Sequence, residues 1–187
     1  MAQKRKDWNG LISGFKASDL VFLDESGCNT DMTRRYAYSL GGSRAIDSAP
    51  LSKPKNTTIL SSIQLDGTLR YTTFSGGTTV ERFKRYLETD LLPHLNENSV
   101  LIMDNMKSHH AKAVKNLLDS SGVRYIYLPP YSPDLNPIEK LWSKVKAFLR
   151  KFKARTLDAL PNAIQNAFHA VTVSDCSGWF RFCGYAL

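Results

Sequence analysis

The sequence predicts one α/β domain, a mixed sheet flanked by helices. Three observations carry this. The chain has 187 residues, a length that suits a single core. Two β-rich segments, Thr57 to Leu65 and Thr68 to Ser75, flank Asp66-Gly67, and Asp-Gly between two such runs signals a hairpin. After the hairpin, helical periods and short apolar runs alternate, the order of a sheet with helices on its faces.

The elements follow in order. Leu20 to Leu23 is an apolar strand closed by the turn-forming residues Asp24, Glu25, Ser26 and Gly27. Arg35 to Leu40 reads as a short strand, and Gly41 to Asn56, with Pro50 and Pro54, as a loop. Thr79 to Leu95 places Val80, Phe83, Leu87 and Leu91 at a helical period. Ser99 to Met103 is a second apolar strand closed by an acid, Asp104. Ala111 to Ser120 is a helix with Ala113, Val114, Leu117 and Leu118 inward, ended by Gly122. Arg124 to Leu128 is a strand, followed by a stiff loop through Pro129, Pro130, Tyr131, Ser132 and Pro133. A long amphipathic helix starts near Pro137, with its stripe at Ile138, Leu141, Trp142, Val145, Phe148, Leu149 and Phe152. Another helix covers Leu157 to Val171, and the aromatic tail from Ser174 to Leu187 packs back on the core.

Composition narrows the class. Hydrophobic residues at 42% and charged ones at 22% exclude wholesale disorder. Cys28, Cys176 and Cys183 are odd in number and scattered, which suits neither a disulfide framework nor a paired zinc site; reduced thiols of a cytoplasmic protein are the plain reading. The longest uninterrupted aliphatic run, Val100 to Met103, falls far short of a membrane span, and the N-terminus carries no apolar signal segment.

The net charge is +8, and it is concentrated. From Glu139 to Arg155 there are seven basic residues and one acid. Lys4, Arg5, Lys6 and Lys16 make residues 1–19 a second basic segment, either a disordered tail or a phosphate-binding arm. Positive excess points to a polyanion, although a charge run is ordinarily a solvated helix face.

Two acids share a setting, since Asp24 and Asp104 each follow a short apolar strand. Ligands gather at the carboxyl ends of strands in open α/β sheets. Two carboxylates side by side repel, and a divalent cation relieves that. The plain alternative is that both Asp residues open turns. Glu139 also has a structural reading. Asn136-Pro137-Ile138-Glu139 looks like a capping box, with Asn136 as N-cap and Glu139 at the third helical position. Ser143, Lys146 and Arg150 continue the Glu139 face, so a carboxylate begins a face that then turns basic.

Three strings together carry a resemblance: VFLDESG (Val21 to Gly27), LIMDNMKSHH (Leu101 to His110) and PPYSPDLNPIEKLW (Pro129 to Trp142). They resemble the catalytic domain of mariner-like bacterial insertion-sequence transposases, members of the DDE superfamily with a ribonuclease-H-like fold. The 34 residues between Asp104 and Glu139 match the family's spacing between its second and third acids.

The resemblance implies a catalytic, metal-binding triad of Asp24, Asp104 and Glu139. It also implies two Mg²⁺ ions per site, with Mn²⁺ as a substitute, cleavage at element ends and strand transfer into target DNA. Double-stranded DNA is the implied partner, bound by a homodimer in the bacterial cytoplasm at the nucleoid. Asn105 and His109 are auxiliary active-site candidates, and Lys140, Lys144, Lys146, Arg150 and Lys151 are the candidate DNA contacts. The expected division is a basic segment, 1–19, and a catalytic domain with C-terminal helices, 20–187. Family members carry N-terminal helix-turn-helix modules, for which residues 1–19 are too few. The expectation is therefore a catalytic domain without its sequence reader: the second of two overlapping frames, with an upstream-encoded helix-turn-helix segment as its partner, a cloned domain, or a decayed copy. The alternatives are a structure-specific nuclease of the same fold and an inactive DNA-binding or dimerisation remnant.

Overall fold

The computed structural model describes residues 2–34, 36–48, 50–51 and 54–185. Five strands form one sheet in the order β3-β2-β1-β4-β5: β1 (Leu20–Cys28), β2 (Thr57–Ile63), β3 (Leu69–Ser75), β4 (Val100–Met103) and β5 (Arg124–Tyr127). β1–β2 and β2–β3 are antiparallel, while β1–β4 and β4–β5 are parallel. The predicted mixed sheet with helical faces is what forms.

Strand alternation sends successive side chains of β1 to opposite faces. Leu20 and Phe22 join the larger core with α1 (Ala2–Ile12), α4 (Ile138–Phe152), α5 (Ala159–His169) and α6 (Val173–Phe182). Val21 and Leu23 join a second core under α2 (Val80–Tyr86) and α3 (Lys112–Ser121). The hairpin turn is closed by Gly67, whose φ of 90° is accessible to glycine, and by the Asp66 carboxylate accepting from the Thr68 N–H at 2.8 Å.

Four expectations are corrected. β1 does not end at Leu23. It runs on to Cys28, because residues 24–28 pair with β2 from Asp24↔Ser61 to Cys28↔Thr57, and this pairing overrides the turn preference of Asp-Glu-Ser-Gly. Asp24 therefore stands where the parallel pairing ends, since β4 follows β1 only as far as Leu23↔Met103.

The strand expected over Arg35 to Leu40 does not form. Arg35 lies outside the described residues, and 36–39 carry no regular structure. Both edges of β2 are already occupied, so no free edge is offered there.

The helix expected through Leu95 changes pitch. After α2 it widens to a π turn over Leu87–Leu91 and tightens to a 3-10 turn over Leu92–His94. Pro93 lacks the N–H that would continue the α ladder.

The basic N-terminal segment is largely helical, and α1 buries Trp8 in the larger core. The tail is also helical. α6 has a true capping box, Thr172 with Asp175, and inserts Phe180 while Tyr185 follows it into the core. Phe182 is exposed.

Candidate active site

Asp24 leaves β1 on the α4 side of the sheet. Asp104, two residues beyond Ile102, leaves the end of β4 on the same side, because Phe22 and Ile102 are register partners. Glu139 sits in the first turn of α4. All three line one cleft of about 470 Å³, together with Asn105, Asn136 and the loop from Leu128 to Pro133. The cleft lies where β1 and β4 stop pairing, just beyond the carboxyl end of β4, the kind of position where open α/β sheets collect ligands.

The capping box expected at α4 is not made. Asn136 has extended dihedrals, and its main-chain carbonyl accepts the Glu139 N–H at 3.1 Å, but no side chain caps the helix. Asn136 Oδ1 is buried without a hydrogen-bond partner. The Glu139 carboxylate is therefore released from structural duty and stays exposed at the cleft.

Asp24 is buried and held at both oxygens. Oδ1 accepts the Glu25 main-chain N–H at 2.8 Å, and Oδ2 accepts the Trp142 indole N–H at 3.1 Å. Burial pushes its carboxyl up to about 7; the Glu25 N–H opposes this, and the charge of Asp104 reinforces it.

Asp104 behaves oppositely. Burial would raise it, but bonds from His109 and the Met106 N–H, with the His109 charge, bring it below the ordinary carboxylate range. One Asp of the cleft is thus reluctant to ionise and the other readily does so.

His109 is wholly buried and does not line the cleft. Its Nδ1 lies 2.9 Å from Asp104 Oδ1, and its Nε2 lies 3.3 Å from Glu25. Burial opposes its charge, yet the bonds to Asp104 and Glu25 outweigh that and raise it to about 9. Asn105 lines the cleft, with its side-chain amide donating to the Leu128 carbonyl at 2.6 Å. That bond ties the end of β4 to the proline-rich loop.

None of the five expected DNA-binding residues lines the cleft. Lys140 Nζ lies 3.9 Å above the Phe182 ring, and Lys144 is paired with Asp175 at 2.5 Å. Lys144, Arg150 and Lys151 border a separate groove with Arg34, Tyr36 and Phe148. Lys146 is half-buried, and its charge reaches the Cys28 thiol. Lys140 and Lys144 are thus already engaged within the chain. If this helix tracks a DNA backbone, Lys151→Ala and Arg150→Ala will weaken duplex binding several-fold and lower the salt slope by about one each. Lys144→Ala should change binding less. Fluorescence anisotropy across a salt series checks this.

Sequence reasoning missed Trp142 as a partner of Asp24, and Glu25 as a partner of His109. Trp142 lies three residues beyond Glu139, a spacing that brings two helical side chains to one side.

No three His, Cys, Asp or Glu side chains among the described residues form a group that could hold a metal ion as they stand. The donors nonetheless suit a hard divalent cation in kind: they are oxygens only, and the neighbouring charge of Asp104 helps to hold Asp24 above its ordinary range. A cation between the two would relieve that repulsion. No helix among the described residues is long and apolar enough to cross a membrane.

A family model described as DDE superfamily endonuclease matches residues 19–161. The Tc1 transposase of Caenorhabditis elegans is 31% identical over 97 residues, 50% of this chain and 36% of that protein. The Tcb2 transposase of Caenorhabditis briggsae is 32% identical over 75 residues, 40% of this chain and 28% of that protein. The chain thus spans about a third of the length of the curated relatives it matches. Among solved structures, the Mos1 mariner paired end complex with Mn superposes with a TM-score of 0.80 at 20% identity, covering 95% of this chain and 57% of that one. The Mos1 catalytic domain alone superposes at 0.68 and 17% identity, covering 96% of this chain and 85% of that one. These two share the fold.

Proposed function

This chain belongs to the DDE superfamily endonucleases, and from that premise we propose that it is the catalytic domain of a mariner-type transposase. It cuts DNA phosphodiesters in the cleft of Asp24, Asp104 and Glu139 and then joins the freed 3′ end to target DNA. The observation that carries this reading is the convergence of three carboxylates, from β1, the end of β4 and the first turn of α4, on one cleft.

Asp24, Asp104 and Glu139 would together hold two Mg²⁺ or Mn²⁺ ions. When bound, such a pair supplies activation of an attacking oxygen and stabilisation of a leaving one during in-line displacement at phosphorus. The chain's own residues do the rest. Trp142 and the Glu25 N–H fix the Asp24 carboxylate in one orientation. Burial raises that carboxyl to about 7, so its charge changes near neutral pH. Glu139, exposed on a helix end, has room to close on the site. The polyanionic substrate is drawn by the basic residues of α4, with Lys151, Arg150 and Lys146 as phosphate contacts. Double-stranded DNA bound by a homodimer is the expected assembly, because two ends must be joined. An upstream helix-turn-helix segment supplies sequence reading, and the nucleoid of a bacterial cytoplasm is the expected place of action.

The test is nicking of supercoiled plasmid with Mg²⁺ or Mn²⁺. Wild type is expected to nick, with Asp104→Asn and Glu139→Gln reduced by about a thousand-fold or more. Joining of a pre-cleaved end to a target duplex separates a transposase from a nuclease of the same fold. Equal nicking by all three proteins would sink the assignment of the acids. DNA binding without nicking in any of them would leave only a binding remnant.

A further inference from the structure

We propose that Glu25 and His109 form a positioning pair that fixes Asp104 from behind the sheet and so sets the affinity of the cleft for divalent cations. The inference rests on the reading of Asp104 as a metal ligand; it concerns two residues that do not line the cleft.

Glu25 follows Asp24 on β1, so its side chain leaves the opposite face, the one that carries Val21 and Leu23 into the second core. Its side chain is 7% exposed. An acid there carries no stabilising logic of its own, because a buried charge is costly unless paired. Its partner is His109, which enters from the loop after β4. The ring is gripped on every side. Nε2 lies 3.3 Å from Glu25, and Nδ1 lies 2.9 Å from Asp104 Oδ1. One face stacks on Phe83, with ring centroids 4.3 Å apart. Its main-chain carbonyl accepts the Tyr127 hydroxyl at 3.0 Å.

The consequence falls on Asp104, which is the exposed member of the line, with a side chain 44% exposed. The Met106 N–H donates to Asp104 Oδ1 at 2.9 Å, and His109 Nδ1 lies 2.9 Å from the same oxygen and 3.3 Å from the Asp104 main-chain carbonyl. Two contacts on one oxygen restrain the carboxylate's rotation and leave the other, Oδ2, for a cation. Glu25 acts one step further back by fixing the ring that does the holding. Partners that orient a ligating carboxylate typically govern metal affinity by about 10–100-fold.

Metal binding is measured by Mn²⁺ titration of the intact chain, followed by electron paramagnetic resonance of free Mn²⁺, with plasmid nicking in parallel. His109→Ala is expected to raise the Mn²⁺ dissociation constant about 10–100-fold. His109→Gln, whose amide can still donate to Asp104, should recover part of that loss. Glu25→Gln, which keeps shape and removes charge, should shift affinity about ten-fold in the same direction. Its nicking rate at saturating Mn²⁺ should stay within a few-fold of wild type. A purely structural role would lower the melting temperature and leave Mn²⁺ affinity untouched, and that result in folded Glu25→Gln and His109→Gln overturns the proposal. Should His109→Ala fail to fold, those two variants decide. Asp104→Asn separates the two readings: wild-type Mn²⁺ binding by that variant means the assignment of the acids is at fault, whereas lost binding there with unchanged affinity in the Glu25 and His109 variants removes only the positioning pair.

Discussion

Asp24→Asn will abolish plasmid nicking, by about a thousand-fold or more, and at the same time make the metal-free protein more stable at pH 8. The second half follows from the sign of the shift. The Asp24 carboxyl stands at about 7 in the fold against about 3.9 in an unfolded chain. Between those values the fold holds a proton that the unfolded chain has released. Stability therefore falls as pH rises from about 4 to 7 and stays low above it. Three units correspond to about 4 kcal/mol. Asparagine carries no charge and escapes this term, but with one carbonyl oxygen it cannot accept from both Trp142 and Glu25, which returns about 1–2 kcal/mol. The net gain of about 2–3 kcal/mol corresponds to about 5–10 °C in melting temperature for a chain of this size. Thermal melts in a chelator from pH 4 to pH 8 check this: the variant should melt above wild type at pH 8 and, through the lost hydrogen bond, below it near pH 4. A variant that melts below wild type at pH 8 would show that Asp24 is not an electrostatic burden on the fold.

Trp8→Ala is the second large effect. Trp8 is 4% exposed and sits in the same core as Leu20, Phe22 and Ile138. Removing a buried Trp costs about 3–5 kcal/mol, or about 10 °C of melting temperature. The loss also reaches the cleft. Trp8 shares the larger core with Tyr185, and the Tyr185 hydroxyl donates to the Leu135 carbonyl at 2.5 Å, four residues before Glu139. Arg5 adds an ion pair with Asp134 in the same loop. Nicking by Trp8→Ala at a temperature where it remains folded should fall about ten-fold, because the loop that presents Glu139 loses its underlay. Arg5→Ala should barely change the melting temperature, since an exposed ion pair is worth little. Melts and nicking assays on both variants check this.

The sheet was legible where pattern and packing agree. Val100–Met103 is wholly apolar and wholly buried, and Asp66-Gly67 made its hairpin. Asp24 and Asp104 could be recognised because each closes an apolar run, and the register brings both to one cleft. The errors came where tertiary pairing decides. The turn-like string after Leu23 became strand because β2 offered it an edge. α1 was hidden by its polarity; Ala2–Ile12 has little apolar content, and its anchorage is mainly one residue, Trp8. Glu25 was overlooked because its neighbour Asp24 shares the string while facing the other way. The Trp142 bond to Asp24 was obscured because an apolar stripe explains a tryptophan fully until its indole nitrogen is placed. At α4 the capping signal was misleading, since the motif was present and the side-chain bonds were not.

The same indole bond gives the molecule an optical gauge. Indole absorption and emission respond to what its N–H touches, and the N–H of Trp142 touches an oxygen of the buried carboxylate. Protonation or cation capture at Asp24 draws electron density away from that oxygen and alters the excited state of the ring. The chain has only three tryptophans, and of these Trp142 is the one bonded to a cleft acid. The ultraviolet emission of Trp142 is thus expected to shift with the charge of Asp24, as a fluorescence titration in pH or Mn²⁺ would read.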